Sequence, residues 1–242
     1  MDRSRIPVAL ALALALFSIV LAAVQIGKGS SESSFKVERQ SFFDAGRSGL
    51  ARIRIHGVIQ GGRTNAESVI SLLLEAQDSN AIRGVILDID SGGGETAATK
   101  QIYEAVKELK KKKPVIAVIG SIAASGGYYI ASAADRIFAL ETSIVGSIGV
   151  ITIHPNVSGL LDKAGVRIQT LKTGPHKDAS YPFRDLTADE QQMFAELLDD
   201  SYRVFIADVS EGRKQSQKTV LDWADGRVYS GKRAKAIQMI DD

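Results

Sequence analysis

Two short apolar runs, each ending in glycine and each followed by a helical pattern, constrain this chain more than any other feature. "IRGVILDID" (82–90) runs into "SGGG", and "VIAVIG" (115–120) runs into "SIAASGGYY". Continuous apolar runs of this length predict buried strands in a parallel sheet. Between them, residues 96–113 place Ile102, Val106 and Leu109 on one helical face, and Pro114 stops the helix. Upstream, "GLARIRIHGVIQGG" (49–62) alternates like a strand. Thr64-x-x-Glu67 then reads as a capping box before the stripe Val69, Ile70, Leu73 and Leu74. Strand, helix, strand, helix, strand at this spacing predicts an α/β domain on parallel strands. Downstream, "DRIFAL" (135–140) and "GVITIH" (149–154) predict further strands. Thr187-x-x-Glu190 predicts the start of a long helix with Phe194, Leu197, Leu198 and Phe205 turned inward. The "KKKK" run (110–113) reads as a solvated helix end favoured by the macrodipole, ahead of an anionic-lipid patch.

Composition excludes several function classes. The 242 residues carry 30 basic and 28 acidic side chains, net +2, with no basic-aromatic surface pattern, so nothing points to nucleic acid. There is no cysteine, hence no disulfide framework, thiolate nucleophile or cysteine metal site, and the three histidines are not paired at metal-ligand spacing. Ahead of the domain lies "IPVALALALALFSIVLAAVQIG" (6–27), which carries no charge. As a helix it would span about 33 Å, enough to cross a bilayer. Arg3 and Arg5 precede it, which orients residues 1–5 to the cytoplasm and the rest outside the cell membrane. A cleaved signal peptide, with Ala22 and Ala23 at the cleavage site, is the alternative. The apolar run exceeds the roughly 7–15 residues of such a segment, which favours an uncleaved anchor. Residues 28–48 read as a linker and 49–242 as the folded domain.

The stretch "GSIAASGGYYIASAAD" (120–135) puts Ser125 where a buried strand gives way to a helix. Open α/β sheets bind ligands at the carboxyl ends of their strands, and the free amide of Gly126 at a helix start suits a developing oxyanion. "DSGGG" (90–94) is a second strand-to-helix junction whose amides could supply the other donor. Neither cluster fits a nucleotide-binding glycine pattern, although either alone reads as a turn. A serine nucleophile needs a base. The residues leave two sets open: Asp162 with His176 in the hydrolase order, or a lysine from "LKTGPHKDASYPFRDLT" (171–187), which offers Lys172 and Lys177.

"DSGGG", "GSIAASGGYYIASAADRIFA", "GSIGV" (146–150), "TGPHKDASYPFRDLT" and "DGRVYSGKRAKAI" (225–237) occur in that order. Together, from about residue 50 onward, they resemble the short form of signal peptide peptidase A, the serine–lysine proteases of family S49. The resemblance implies that Ser125 is the nucleophile, that Lys177 rather than Lys172 is the general base, and that Ser147 positions the lysine amine. It implies Gly126 as one oxyanion donor and Gly94 or Gly93 as the other, with Gly94 preferred. It further implies a Clp protease/crotonase-like fold of stacked ββα units, a membrane anchor in lipid, and a ring-like homo-oligomer whose sites face an interior cavity. The implied substrates are apolar peptides, the remnants of cleaved signal peptides, with no cofactor or metal.

Two features depart from the family pattern. Gly92 stands where proline is usual, and the chain ends at "QMIDD" where family members continue, so a truncated piece or a short natural variant is expected. The chemistry sets a further expectation. A free lysine titrates at about 10.4, so a base poised near neutrality needs a drop of about 3 units, or about 4 kcal/mol, which burial supplies. Asp178, next in sequence, would oppose that drop and is expected to point elsewhere. Desolvation of the lysine is expected from a neighbouring subunit or from substrate. The rivals are a crotonase-like acyl-CoA enzyme using carboxylates, and a membrane-tethered scaffold without catalysis.

Overall fold

The computed structural model describes residues 49–62 and 66–242. The expected anchor (6–27), the linker (28–48) and the capping residue Thr64 lie outside the described residues. Among the described residues, no helix is long and apolar enough to cross a membrane.

Six described strands form one sheet: β1 (Gly49–Ile59), β2 (Ile82–Gly94), β3 (Val115–Ala124), β4 (Arg136–Ala139), β5 (Ile144–Gly146) and β6 (Val228–Ser230). The order is β1-β2-β3-β5-β6, parallel except for the antiparallel β5–β6 pair. β3 serves two neighbours on one edge: Ile116–Ile119 pair with β4, and Ile122–Ala124 pair with β5. That handover lets the last residues of β3 run past β4 to the site. The helices are α1 (Ala66–Asp78), α2 (Thr96–Lys110), α3 (Gly126–Ser132), α4 (Ser158–Lys163), α5 (Ala188–Arg213), α6 (Gln217–Leu221) and α7 (Gly231–Ala236).

The alternation in β1 decides which face is covered. Ile53 and Ile55 are buried together with Val85, Leu87 and Ile89 of β2 and Val115, Ala117 and Ile119 of β3. Each fully buried branched side chain contributes about 1.5–3 kcal/mol relative to exposure. Arg52, Arg54 and His56 take the other face, where they converge on Asp88. The expectation that β3 is a buried strand therefore holds on one side only: Val118, level with Asp88 on the polar side, is 40% exposed.

On the covered face, α2 buries Ile102, Val106 and Leu109 as its spacing predicts, and Tyr103 beside them. It stops at Lys110, three residues short of the expected end, because a residue before proline is biased to extended backbone. The lysine run is partly structural: Lys113 Nζ donates to the Ala76 and Ser79 carbonyls at 2.6 Å each, closing the end of α1. The α1 stripe is Ala66, Val69, Leu73 and Ala76, with Leu74 exposed.

Two further expectations are corrected downstream. Residues 149–154 form no strand, and Ile151 and Ile153 are 81% and 79% exposed. Their alternation is that of a strand, but the described residues provide no neighbour to pair with. In α5 the capping box of Thr187 and Glu190 is present, and Phe205 is buried. Leu197, however, is 61% exposed, and Phe194 and Leu198 are only half-buried; in the first half of this 26-residue helix Glu190 is the one buried residue. Its second half crosses α3 closely: a Cβ on Gly212 would lie 2.1 Å from the Ser132 carbonyl oxygen.

Candidate active site

β3 ends at Ala124 and α3 begins at Gly126, so Ser125 is the single residue of the junction. Its φ of 50° and ψ of −119° are rare for a residue with a side chain and cost about 1–3 kcal/mol. Two bonds hold it there: the Ser125 N–H donates to Gly146 O at 2.7 Å, and the Tyr129 N–H donates to Ser125 O at 2.9 Å. Gly146 closes β5, so the strand handover on β3 is what fixes the serine. Ser147 follows, also at positive φ (53°), with its N–H on Arg227 O at 2.7 Å. The structure thus joins Ser147 to the Ser125 junction through adjacent backbone.

The "DSGGG" junction abuts the serine directly. A Cβ on Gly93 would lie 2.7 Å from Gly126 N and 2.9 Å from Ser125 Cβ. Gly93 has φ +101°, and its N–H donates to Ser91 Oγ at 3.1 Å. Ser91 itself donates to Gly57 O at 2.6 Å, which ties the junction to β1. Asp90 accepts the Ile122 N–H at 3.2 Å, filling the break in the β2–β3 ladder after Ile89. At Gly92 a Cβ would meet nothing within 4 Å, so the departure from proline leaves the loop unobstructed.

Beside Ser125 lies a cavity of about 230 Å³, with Gly94, Thr99, Gly126, Tyr129, Val204 and Phe205 among its walls. Sequence reading missed the side chains beneath it. Tyr129 stacks on Phe205 at 4.1 Å and donates its hydroxyl to Asp208. Lys100 reaches Asp208 at 2.5 Å and Glu104 at 2.6 Å. Burial pulls the Lys100 ammonium down, but its hydrogen bonds to Asp208 and Glu104 outweigh that and raise its pKa. The lysine that lines the cavity is thus engaged by two carboxylates, which favour its charged form. Asp208, committed to Lys100 and Tyr129, is no free carboxylate of the kind acyl-CoA chemistry would use. The Thr99 hydroxyl is buried without a partner, and a Cβ on Gly126 would come within 2.6 Å of it. No short-range pattern links positions 108 residues apart, such as Lys100 and Asp208.

The two candidate base sets fare differently. Asp162 and His176 are both exposed, and the imidazole of His176 lies 3.3 Å from Asp189, not from Asp162. Lys172 is paired with Asp178 at 2.5 Å and donates to Pro175 O. Lys177 is exposed, has no ion pair among the described residues, and lines a separate cleft with Lys172, Asp178 and Tyr181. It is not among the residues around the Ser125 cavity. Asp178 lines the same cleft as Lys177, but its carboxylate is paired with Lys172 and Arg184 and with no other cation among the described residues.

That network titrates at low pH. Hydrogen bonds from Arg184 and then Lys172 hold the Asp178 carboxyl well below the usual range. Those from Arg184 and the Thr187 amide lower Glu190 from 4.5 to about 2. Carboxyls with depressed folded pKa values contribute stability that is complete above the unfolded value and lost as pH falls through the folded one. Residues 172–190 are therefore expected to loosen between about pH 4.5 and about pH 2. Hydrogen exchange corrected for intrinsic rates measures this; equal protection at both ends of that window would contradict it.

Comparison with known proteins identifies the family. The model described as peptidase family S49 matches residues 107–242, and that described as Clp protease matches residues 49–160. A protein of Methanocaldococcus jannaschii is 36% identical over 77% of this chain and 60% of its own length. One of Synechocystis is 36% identical over 81% of the chain and 69% of its own. Protease 4 of Haemophilus influenzae is 33% identical over 80% of the chain, but over 32% of its own length. The chain thus spans from about a third to about two thirds of these relatives. The parallel sheet with its covering helices fits the Clp protease-like fold, and the chain belongs to peptidase family S49, a family of serine proteases.

Proposed function

We propose that this protein is a membrane-anchored serine endopeptidase that uses Ser125 and Lys177 to degrade apolar peptides, the remnants of cleaved signal peptides. The observation that carries the reading is Ser125 itself, held at a strained strand-to-helix junction beside an apolar cavity, with a helix-start amide next to it. The Ser125 hydroxyl adds to a peptide carbonyl and its proton passes to Lys177 Nζ. The amide of Gly126, in the first turn of α3 and so outside the helix ladder, faces the oxyanion. Gly94 supplies the second donor. The Gly93 N–H is already committed to Ser91, and the Glu95 N–H goes to Ile59 O on β1, so strand alternation turns the Gly94 N–H from β1 toward the serine. Lys177 returns the proton to the leaving amine, and water then cleaves the ester by the same route.

Because Lys177 lies outside the Ser125 cavity of its own chain, the lysine comes from a neighbouring copy, and the surface of the copy that carries Ser125 desolvates it. Ser147 orients the incoming amine. A ring of such copies, built from stacked ββα units with the sites facing inward, places each cavity beside the next protomer's lysine. Residues 6–27 anchor that ring in the cell membrane, with the N-terminus cytoplasmic and the catalytic domain outside. No cofactor or metal enters the reaction.

The test is complementation. Ser125→Ala and Lys177→Ala variants, each inactive on an apolar fluorogenic peptide, are co-assembled from the full chain. Recovered turnover, with a serine-reactive probe attached at Ser125 of the Lys177→Ala partner, is the expected result. Silence of the mixture would defeat the shared site, and a wild-type Ser125 that resists the probe would defeat the serine mechanism.

A further inference from the structure

The segment that carries Lys177 is braced by a partly buried ion network that neither the nucleophile nor the oxyanion donors require. Arg184 is its centre. Its Nη2 donates to Asp178 Oδ1 and to Glu190 Oε1, both at 2.6 Å, and its Nη1 donates to Glu190 Oε2 at 2.7 Å. Lys172 Nζ supplies a second cation to Asp178 at 2.5 Å. Asp178 is 8% exposed and Glu190 1%. Two cations and two carboxylates close the network without excess charge. Glu190 is also the third residue of α5 and accepts the Thr187 N–H at 2.9 Å, so Arg184 links the loop to a helix start. Bidentate guanidinium–carboxylate pairing of this kind fixes geometry as well as charge.

The groups around Lys177 define what the network protects. Its cleft presents Lys172, Asp178 and Tyr181, while the adjacent His176 faces Asp189 at 3.3 Å. Asp178 is the residue that follows Lys177 in the chain, and its carboxylate is engaged by Arg184 and Lys172. We propose that Arg184 is a positioning residue for the base: by holding the Asp178 carboxylate in ion pairs of its own, it leaves the Lys177 amine unpaired and able to accept a proton. This rests on the reading of Lys177 as the general base. An opposite charge within about 4–6 Å of an amine favours its protonated form, so a freed Asp178 works against the base.

The experiment compares pH–rate profiles of the full-length protein and its variants on an apolar fluorogenic peptide. Arg184→Gln is expected to move the acid limb of kcat/KM up by about one unit, a tenfold loss on that limb that raising the pH restores. Adding Asp178→Asn to Arg184→Gln is expected to return the limb to its original position. Lys172→Gln removes the other, exposed anchor of Asp178 and is expected to move the limb in the same direction by less, which keeps the proposal testable if Arg184→Gln does not fold. A loss that is equal at every pH, or a limb shift that Asp178→Asn does not reverse, overturns the proposal. Lys177→Ala separates the two ideas. Turnover retained in that variant refutes the base itself. An inactive Lys177→Ala beside unmoved limbs in Arg184→Gln and Lys172→Gln refutes only the positioning role.

Discussion

Ser125→Ala is expected to lower kcat on an apolar peptide by about 10⁴-fold or more, equivalent to about 5.4 kcal/mol of lost transition-state stabilisation. Lys177→Ala should fall to the same floor. In the proposed mechanism nucleophile and base act as one unit, so the double variant should be no worse than either single one. The residual rate is expected from substrate binding and from the proposed oxyanion amides of Gly126 and Gly94, which neither change removes. Structure keeps this test clean. The Ser125 hydroxyl makes no hydrogen bond among the described residues, and alanine keeps the Cβ that φ 50° already tolerates. Melting temperature should therefore be nearly unchanged. Ser125→Gly removes the same hydroxyl and also relieves the backbone, so it should be inactive yet more stable by about 1 kcal/mol. A serine variant that keeps ordinary turnover, or a glycine variant that melts lower than wild type, would refute this account of the junction.

The sequence made this junction legible because its signals are local. The apolar runs of β2 and β3, the stripe of α2 and the stop at Pro114 each lie within one window, and each element formed within a few residues of expectation. The junctions at Ser125 and Gly93 were readable for the same reason: glycine beside a strand end reports tight backbone approach, and Gly93 touches Gly126. What failed was non-local. The alternation in 149–154 and the apolar stripe of early α5 report surfaces that would be covered, but not by what. In a single chain they stay open, with Ile151 and Leu197 at 81% and 61% exposure. Lys177 lines a cleft apart from the Ser125 cavity, and spacing along one chain does not say which surface meets it. The Lys100–Asp208–Tyr129 group was invisible because it joins α2, α3 and α5 through single side chains.

Gly94→Ala is expected to be the most damaging single-methyl change in the domain. A Cβ there would lie 1.9 Å from the Ile59 carbonyl oxygen and 2.7 Å from Ile59 N, well inside any contact that real Cβ atoms make. No flexible side chain can yield, because the obstructing atoms are backbone. Ile59 is the last residue of β1, its side chain is 1% exposed, and its carbonyl accepts the Glu95 N–H at 2.8 Å. Relief therefore requires β1 and β2 to part at the end that faces the site. Overpacking ordinarily costs about 1–3 kcal/mol, and a clash against immobile backbone belongs at or beyond the upper end. For a domain of this size, about 3 kcal/mol lowers the melting temperature by about 6–12 °C. Activity should fall further than stability accounts for, since the displaced residue also carries the proposed second oxyanion donor; losing such a donor costs about 10²–10³-fold in kcat. Gly92→Ala, two residues away with nothing within 4 Å of its Cβ, is the matched control and should change neither. Equal melting curves for the two variants would contradict the close approach of β1 and β2, and equal kcat with unequal melting would remove Gly94 from the oxyanion site.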